Sequence, residues 1–259
     1  MLTSWFVALW RYRDLLWSLA LRDLRIKYKG STLGFGWSLL NPLLMAAVYT
    51  VAFKYIVRIQ VEHFPVFLLS GLLPWTFFAS ALSAAMGSVG DSASLVRKVA
   101  FPRAMLPLSA VASQLVQFVL MYAVIVAGTS IFSVGPSPAL LALVPLLVLQ
   151  LVFTVGMALA LATAYVYFRD TRHLLEVGLQ LWFWLTPVVY PLTMVPEAYR
   201  RYFLLNPMAL VVTSYQRVVL ERALPSASAF AALALVACGT AAAGLLIFLR
   251  HERRFGELV

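Results

Sequence analysis

Six stretches of this chain, roughly residues 35–57, 66–90, 104–132, 139–167, 174–191 and 228–249, are apolar almost without interruption. A bilayer core of about 30 Å is crossed by about 20 helical residues, and only helices or closed barrels satisfy their backbone there. Runs of this length therefore dictate an all-α integral membrane protein with six transmembrane helices. The fifth run is the shortest, and Pro187 and Pro191 interrupt its end. Composition agrees: 63% of residues are hydrophobic and 12% charged, where a soluble domain carries about 25% charged residues. Half the usual charge cannot cover a water-facing exterior. The first 30 residues hold no hydrophobic run followed by a small-residue cleavage site, so no cleaved signal peptide is expected. The single Cys238 excludes an intrachain disulfide and a thiolate metal cluster.

The chain carries 20 Lys and Arg against 10 Asp and Glu. In a soluble protein that excess points to nucleic acid; in a membrane chain it marks loops facing anionic lipid, and no nucleic-acid partner is expected. Fourteen of the 20 basic residues fall before the first span, in the second and fourth connections, and in the tail. Both termini are thus expected in the cytoplasm. The stretch 192–225 has two helix-like pieces starting near Pro196 and Pro207, neither of spanning length. Two readings are open: short helices dipping into the outer leaflet, tolerable only where their backbone is covered, or a plain extracellular loop.

Residues 5–29 carry Arg11, Asp14, Ser18, Arg22, Arg25 and Lys29 at steps of three or four, which puts all six on one helical face. Trp5, Leu9, Leu16, Trp17, Leu21 and Leu24 fill the remaining faces. Such a helix suits the headgroup plane, its apolar side in lipid and its cations near phosphate. The alternative is a cytosolic helix packed on protein. Gly30, Gly34 and Gly36 then allow a sharp turn into the first span.

Catalytic chemistry is poorly represented. No H-E-x-x-H or G-x-x-x-x-G-K-[ST] occurs, so the chain lacks the usual phosphate loop for ATP. His63, His173 and His251 lie in three separate connections, and no metal site is expected. Lys54 lies inside a span near its outer end, where its stem can snorkel, which weakens the case for an ion-coupled transporter. What remains polar inside the spans is uncharged: Gln114, Gln117, Gln150 and Gln180. Aromatic rings accompany them, among them Tyr49, Phe53, Tyr165, Tyr167, Trp182, Phe183, Trp184 and Tyr190. Amides and ring faces suit a sugar-carrying path; bridges between helices and interfacial belts are the plainer explanation for each residue taken alone. The connection 92–100 reads as a short helix capped by Ser92 or Ser94 and ended by Phe101-Pro102. Its Leu95, Val96 and Val99, beside Arg97 and Lys98, call for a covering partner or for lipid.

The runs RDLRIKYKGSTLGFGWSLLNPLLM, LVRKVAFPRAMLPLS, YFRDTRHLLEVGLQLWFWLTPVVYP and YFLLNPMALVV, in that order from about residue 20 to 215, closely resemble the permease subunit of ABC-2 type polysaccharide ABC exporters. That family exports O-antigen, capsular polymer or teichoic acid. The resemblance implies one transmembrane domain over 1–259, working as a homodimer with two separate nucleotide-binding subunits. ATP and Mg would sit on that partner, with no cofactor on this chain and no enzymatic activity of its own. It further implies an interface helix at 5–29 (Arg11, Trp17, Arg22, Arg25, Lys29) and a coupling helix at 92–100 (Ser94, Leu95, Val96, Arg97, Lys98, Val99). Gate helices would lie in 192–225. The path for a lipid-linked glycan would run along Tyr49, Phe53, Gln180, Trp182, Trp184 and Tyr190, with the dimer seam at spans one and five. The location implied is a bacterial cytoplasmic membrane. A drug or other lipid as cargo, or a membrane-embedded transferase, are the competing expectations. The tetrapeptide LLNP occurs at 39–42 and 204–207, too short to establish a repeat.

Overall fold

The computed structural model describes residues 7, 9–34, 36–98, 101–128 and 137–258, and every regular element among them is helical. In chain order these are α1 (Arg13–Tyr28), α2 (Gly36–Tyr49, continued by a π-helical turn Thr50–Ile56), α3 (Phe64–Asp91), α4 (Ala93–Lys98) and α5 (Met105–Gly128). A short 3-10 turn, Pro138–Ala142, leads into α6 (Leu143–Tyr167), followed by α7 (Thr171–Trp184) and α8 (Glu197–Phe203). The chain finishes with α9 (Pro207–Gln216, with a π-helical Arg217–Glu221), α10 (Ala227–His251) and α11 (Phe255–Leu258).

Five of these helices, counting α2 with its π turn and α6 with its 3-10 turn, are long and apolar enough to cross a membrane. They match the expected first, second, third, fourth and sixth spans; residues 129–132 of the third lie outside the described residues. The fifth differs. α7 has 14 residues, about 21 Å at 1.5 Å per residue, and stops at Trp184 instead of running to 191. Pro187 cannot donate into the last turn, and the residue before a proline avoids the helical region. The chain continues through a buried turn, Thr186–Val189. α8 and α9 begin where Pro196 and Pro207 signal, meet at 104°, and together pass the same test of length and apolarity.

α3 is the axis of the fold. It is apolar on all sides, which a helix tolerates only when surrounded, and it packs against α5, α6, α9, α2 and α7. Phe64, Leu68, Leu73, Phe78, Ala81, Leu82, Ala85 and Val89 are fully enclosed. Pro74 interrupts its hydrogen-bond ladder, and the buried Gln150 of α6 donates from Nε2 to the Pro74 carbonyl at 2.8 Å. α6 and α10 approach most closely at Gly156 and Gly244, where any side chain would strike the opposing backbone. On α10, Gly244 serves this crossing, whereas Gly239 faces open space.

α1 lies along α5 and turns Leu19 and Ala20 inward, with Leu9, Leu16 and Tyr12 against the same cluster. Its outer surface carries Trp10, Trp17 and Leu21 in one row, with Arg22, Arg25 and Lys29 in the next. The expected cation stripe is therefore present, but the apolar remainder divides. Leu9, Leu16 and Leu24 face protein, while Trp17 and Leu21 stay exposed. Trp5 lies outside the described residues.

Candidate transport path and coupling elements

Trp182 and Trp184 are two positions apart on α7, about 200° around a helix, so they cannot share a wall. Trp182 turns inward. Its ring meets Phe78 edge-on at 5.3 Å and Trp75 at 6.4 Å, and its Nε1 donates to Oδ1 of Asn206 at 2.7 Å. With its donor engaged and its faces packed, this indole fastens α7 to the body of the protein. Trp184 and Gln180 project outward with Leu181 and Val177. Tyr190 is half-buried, and its hydroxyl donates to the Trp184 carbonyl at 2.6 Å.

On α2, Tyr49 and Phe53 are half-buried and meet edge-on at 6.1 Å; Tyr49 also stacks on Phe183 of α7 at 6.4 Å. This contact joins α2 to α7. The rest of α2 is bare: Trp37, Leu43, Leu44, Val48, Val51 and Tyr55 are exposed, as are Leu174, Val177, Leu181 and Trp184 of α7. A continuous apolar surface of this size is covered by lipid or by another protein surface. The candidate path residues thus separate into an inward group, Trp182 with the half-buried Tyr49, Phe53 and Tyr190, and an outward pair, Gln180 and Trp184.

Two of the intramembrane amides tie helices together. Gln150 ties α6 to α3. Gln117 of α5 accepts at Oε1 from Nζ of Lys27 (2.9 Å) and from the Tyr28 hydroxyl (2.8 Å), holding α1 to the bundle. Burial pushes the Lys27 ammonium below its ordinary range because charge is disfavoured away from water. Neither Lys27 nor Asn206 stood out in the sequence as a site residue. Asn206-Pro207 carries the signature of a helix start, an amide cap before a first-turn proline; Lys27 had no such signal.

α4 follows α3 after a single residue, the Leu95 amide donating to the Ser92 carbonyl at 3.0 Å. Ser94 is exposed. Leu95, expected to be exposed, is instead half-buried against the cluster of Phe248 and Phe255, because α11 folds back under α4. Val99 and the side chains of Val96, Arg97 and Lys98 lie outside the described residues. Arg103 donates to the Glu252 carbonyl, and burial pushes the Glu252 carboxyl up despite the nearby guanidinium groups of Arg103 and Arg253. At the same end Arg169 and Arg172 both lie 5.1 Å from the Tyr165 ring, with space left by Gly90 and Gly87 of α3. His251 sits 2.8 Å from the Ile247 carbonyl, and His173 lies 3.7 Å from Glu176. Among the described residues no three His, Cys, Asp or Glu side chains are grouped to hold a metal ion.

Residues 14–220 match the family model described as ABC-2 type transporter. The chain is 36% identical over 253 residues to the O-antigen export system permease protein RfbA of Myxococcus xanthus, covering 97% of each chain. It is 32% identical over 247 residues to a protein of the same name from Klebsiella pneumoniae, covering 95% of each. With the polysialic acid transport protein KpsM of Escherichia coli the identity is 25% over 242 residues, covering 91% of this chain and 92% of that one. The match spans all the long helices but the last, and on it the chain belongs to the ABC-2 type transporter membrane family.

Proposed function

We propose that this chain is the membrane subunit of an ATP-driven exporter. Two copies would line a conduit for a lipid-linked polysaccharide of the O-antigen type across the cytoplasmic membrane. The supporting observation is similarity to O-antigen export permeases along 97% of the chain. ATP and Mg are handled by two copies of a separate nucleotide-binding subunit, consistent with the missing phosphate loop. In this reading both termini are cytoplasmic, and α1 is the interface helix. The 92–100 segment, with Ser94 at its exposed surface, seats in the ATPase, and α8 and α9 gate the outer mouth. The bare faces of α2 and α7, with Gln180 and Trp184, line the conduit or the seam between copies. Membrane lipid covers the remainder.

The test is copurification and export. Gently solubilised chain should bring down an ATPase in a 2:2 assembly, and deleting its gene should leave lipid-linked polymer inside the cell. A monomer that moves cargo in vesicles without an ATPase would overturn the reading. A capsular polymer as cargo is favoured only by the weaker similarity to the polysialic acid transport protein, and analysis of the retained glycan separates the two.

A further inference from the structure

The face of α1 turned toward α5 encloses a second feature. A cavity of about 470 Å³ lies between α1, the start of α2, α3 and α5, within the size range of small-ligand sites. Its polar lining includes Lys27, Asn41, Ser80, Gln114 and Gln117, and its aromatic lining Trp37, Phe77 and Phe118. No acidic residue lines it. Lys27 also borders a smaller cavity of about 220 Å³, which holds Asp23, Asp91 and Arg22, so the ammonium stands in the partition between the two.

Three donors of this lining are underused. A lysine ammonium has three N–H groups. One of Lys27 goes to a neutral amide oxygen, and its cation faces the Tyr28 ring at 5.9 Å. Among the described residues no carboxylate lies within 4.0 Å of it. Asn41 and Ser80 line the same space with no hydrogen bond among the described residues. The two LLNP tetrapeptides differ on this point: Asn206 uses its amide to cap α9 and hold α7, whereas Asn41 lines the cavity without such bonds. A cation with only neutral partners beside it is open to an anion, and charge-assisted bonds to phosphate oxygens are the strongest it can form. Trp37 lines the same space and is about half exposed, so the anion that fits best arrives on a hydrocarbon chain.

We propose that the Lys27 cavity binds the phosphoryl headgroup of a membrane lipid, with Asn41 and Ser80 donating beside the ammonium. This deepens the export reading, since a lipid-linked glycan carries phosphate next to its first sugar; which phospholipid is bound rests on that reading, and the phosphoryl site does not.

The experiment uses the full chain in its purified assembly and native mass spectrometry with four probes: polyprenyl phosphate, the matching polyprenol, dioleoylphosphatidylglycerol and inorganic phosphate. Polyprenyl phosphate should be retained and polyprenol should not. Lys27→Gln should weaken retention about tenfold or more, one strong charge-assisted contact, while Lys27→Arg should stay within about threefold of wild type. Lys27-dependent retention of phosphatidylglycerol as strong as that of polyprenyl phosphate supports the site and removes its support for export. Equal retention of polyprenol, or Lys27→Gln and Lys27→Arg both binding like wild type, overturns the proposal. So does binding of inorganic phosphate with no gain from a lipid chain. A failure to export glycan with lipid binding intact sinks only the export reading.

Discussion

The indole nitrogen of Trp182 and the side-chain oxygen of Asn206 lie 2.7 Å apart, and this bond closes the bend between α7 and α9. The same oxygen accepts the Met208 amide at 3.0 Å, while the Asn206 amide nitrogen donates to Thr186 Oγ1 at 3.0 Å and the Leu185 carbonyl at 3.1 Å. Asn206→Ala removes a helix cap and these bonds together, and should cost about 2–3 kcal/mol. Trp182→Phe keeps the ring packing and loses one bond, about 1 kcal/mol. Denaturant unfolding in detergent checks both; equal losses would show that Asn206 is not the hub.

Gly244 and Gly239 sit five residues apart on α10 and make opposite predictions. A methyl group on Gly244 would overlap the Gly156 carbonyl, while one on Gly239 meets nothing within 4 Å. Gly244→Ala should therefore destabilise by about 1–3 kcal/mol or more. Gly239→Ala should be neutral or gain up to about 1 kcal/mol from helix propensity. Melting temperatures of the two variants decide it.

Glu252 supplies a pH dependence. Burial raises its folded pKa above the ordinary 4.5, so the folded state holds the proton more tightly than the unfolded one. The sign follows: this group costs nothing below pH 4.5 and destabilises increasingly as pH climbs through the raised value. Glu252→Gln lacks that penalty. Its melting temperature should gain on wild type between pH 4.5 and pH 7.5, and a difference that stays flat across that range would show that the carboxyl is not desolvated.

Leu95 and Ser94 separate two roles within α4. Leu95 packs on the Phe248 and Phe255 cluster, so Leu95→Asp should lower the melting temperature of the chain itself. Ser94 is exposed, and Ser94→Trp should leave the chain folded while reducing copurification of the ATPase and its stimulated hydrolysis. If both variants assemble and export normally, the coupling role of this segment is wrong.

The long helices were legible because each carries some 20 apolar residues in a row, and Pro196 and Pro207 marked α8 and α9 directly. Other features depended on which neighbour an apolar face meets. On α1, Leu16 and Trp17 are equally apolar, yet Leu16 faces α5 and Trp17 faces outward; sequence alone does not tell lipid from protein as the partner. The two-residue spacing already separates Trp182 from Trp184 around α7. Leu95 was misplaced because α11, which covers it, is a four-residue helix too short to announce itself. Lys27 was passed over because a cation in a basic segment reads as one more headgroup contact.

The sparse packing of α2 has a consequence for biogenesis. Only 11% of its apolar window is buried, whereas α3, which follows it, is enclosed by five other helices. α2 thus leaves the ribosome before the helix it packs on, and has the least to hold it in place. A newly made chain would condense around α3 first and seat α2 late, so quality-control proteases should meet this helix as the exposed handle of the chain.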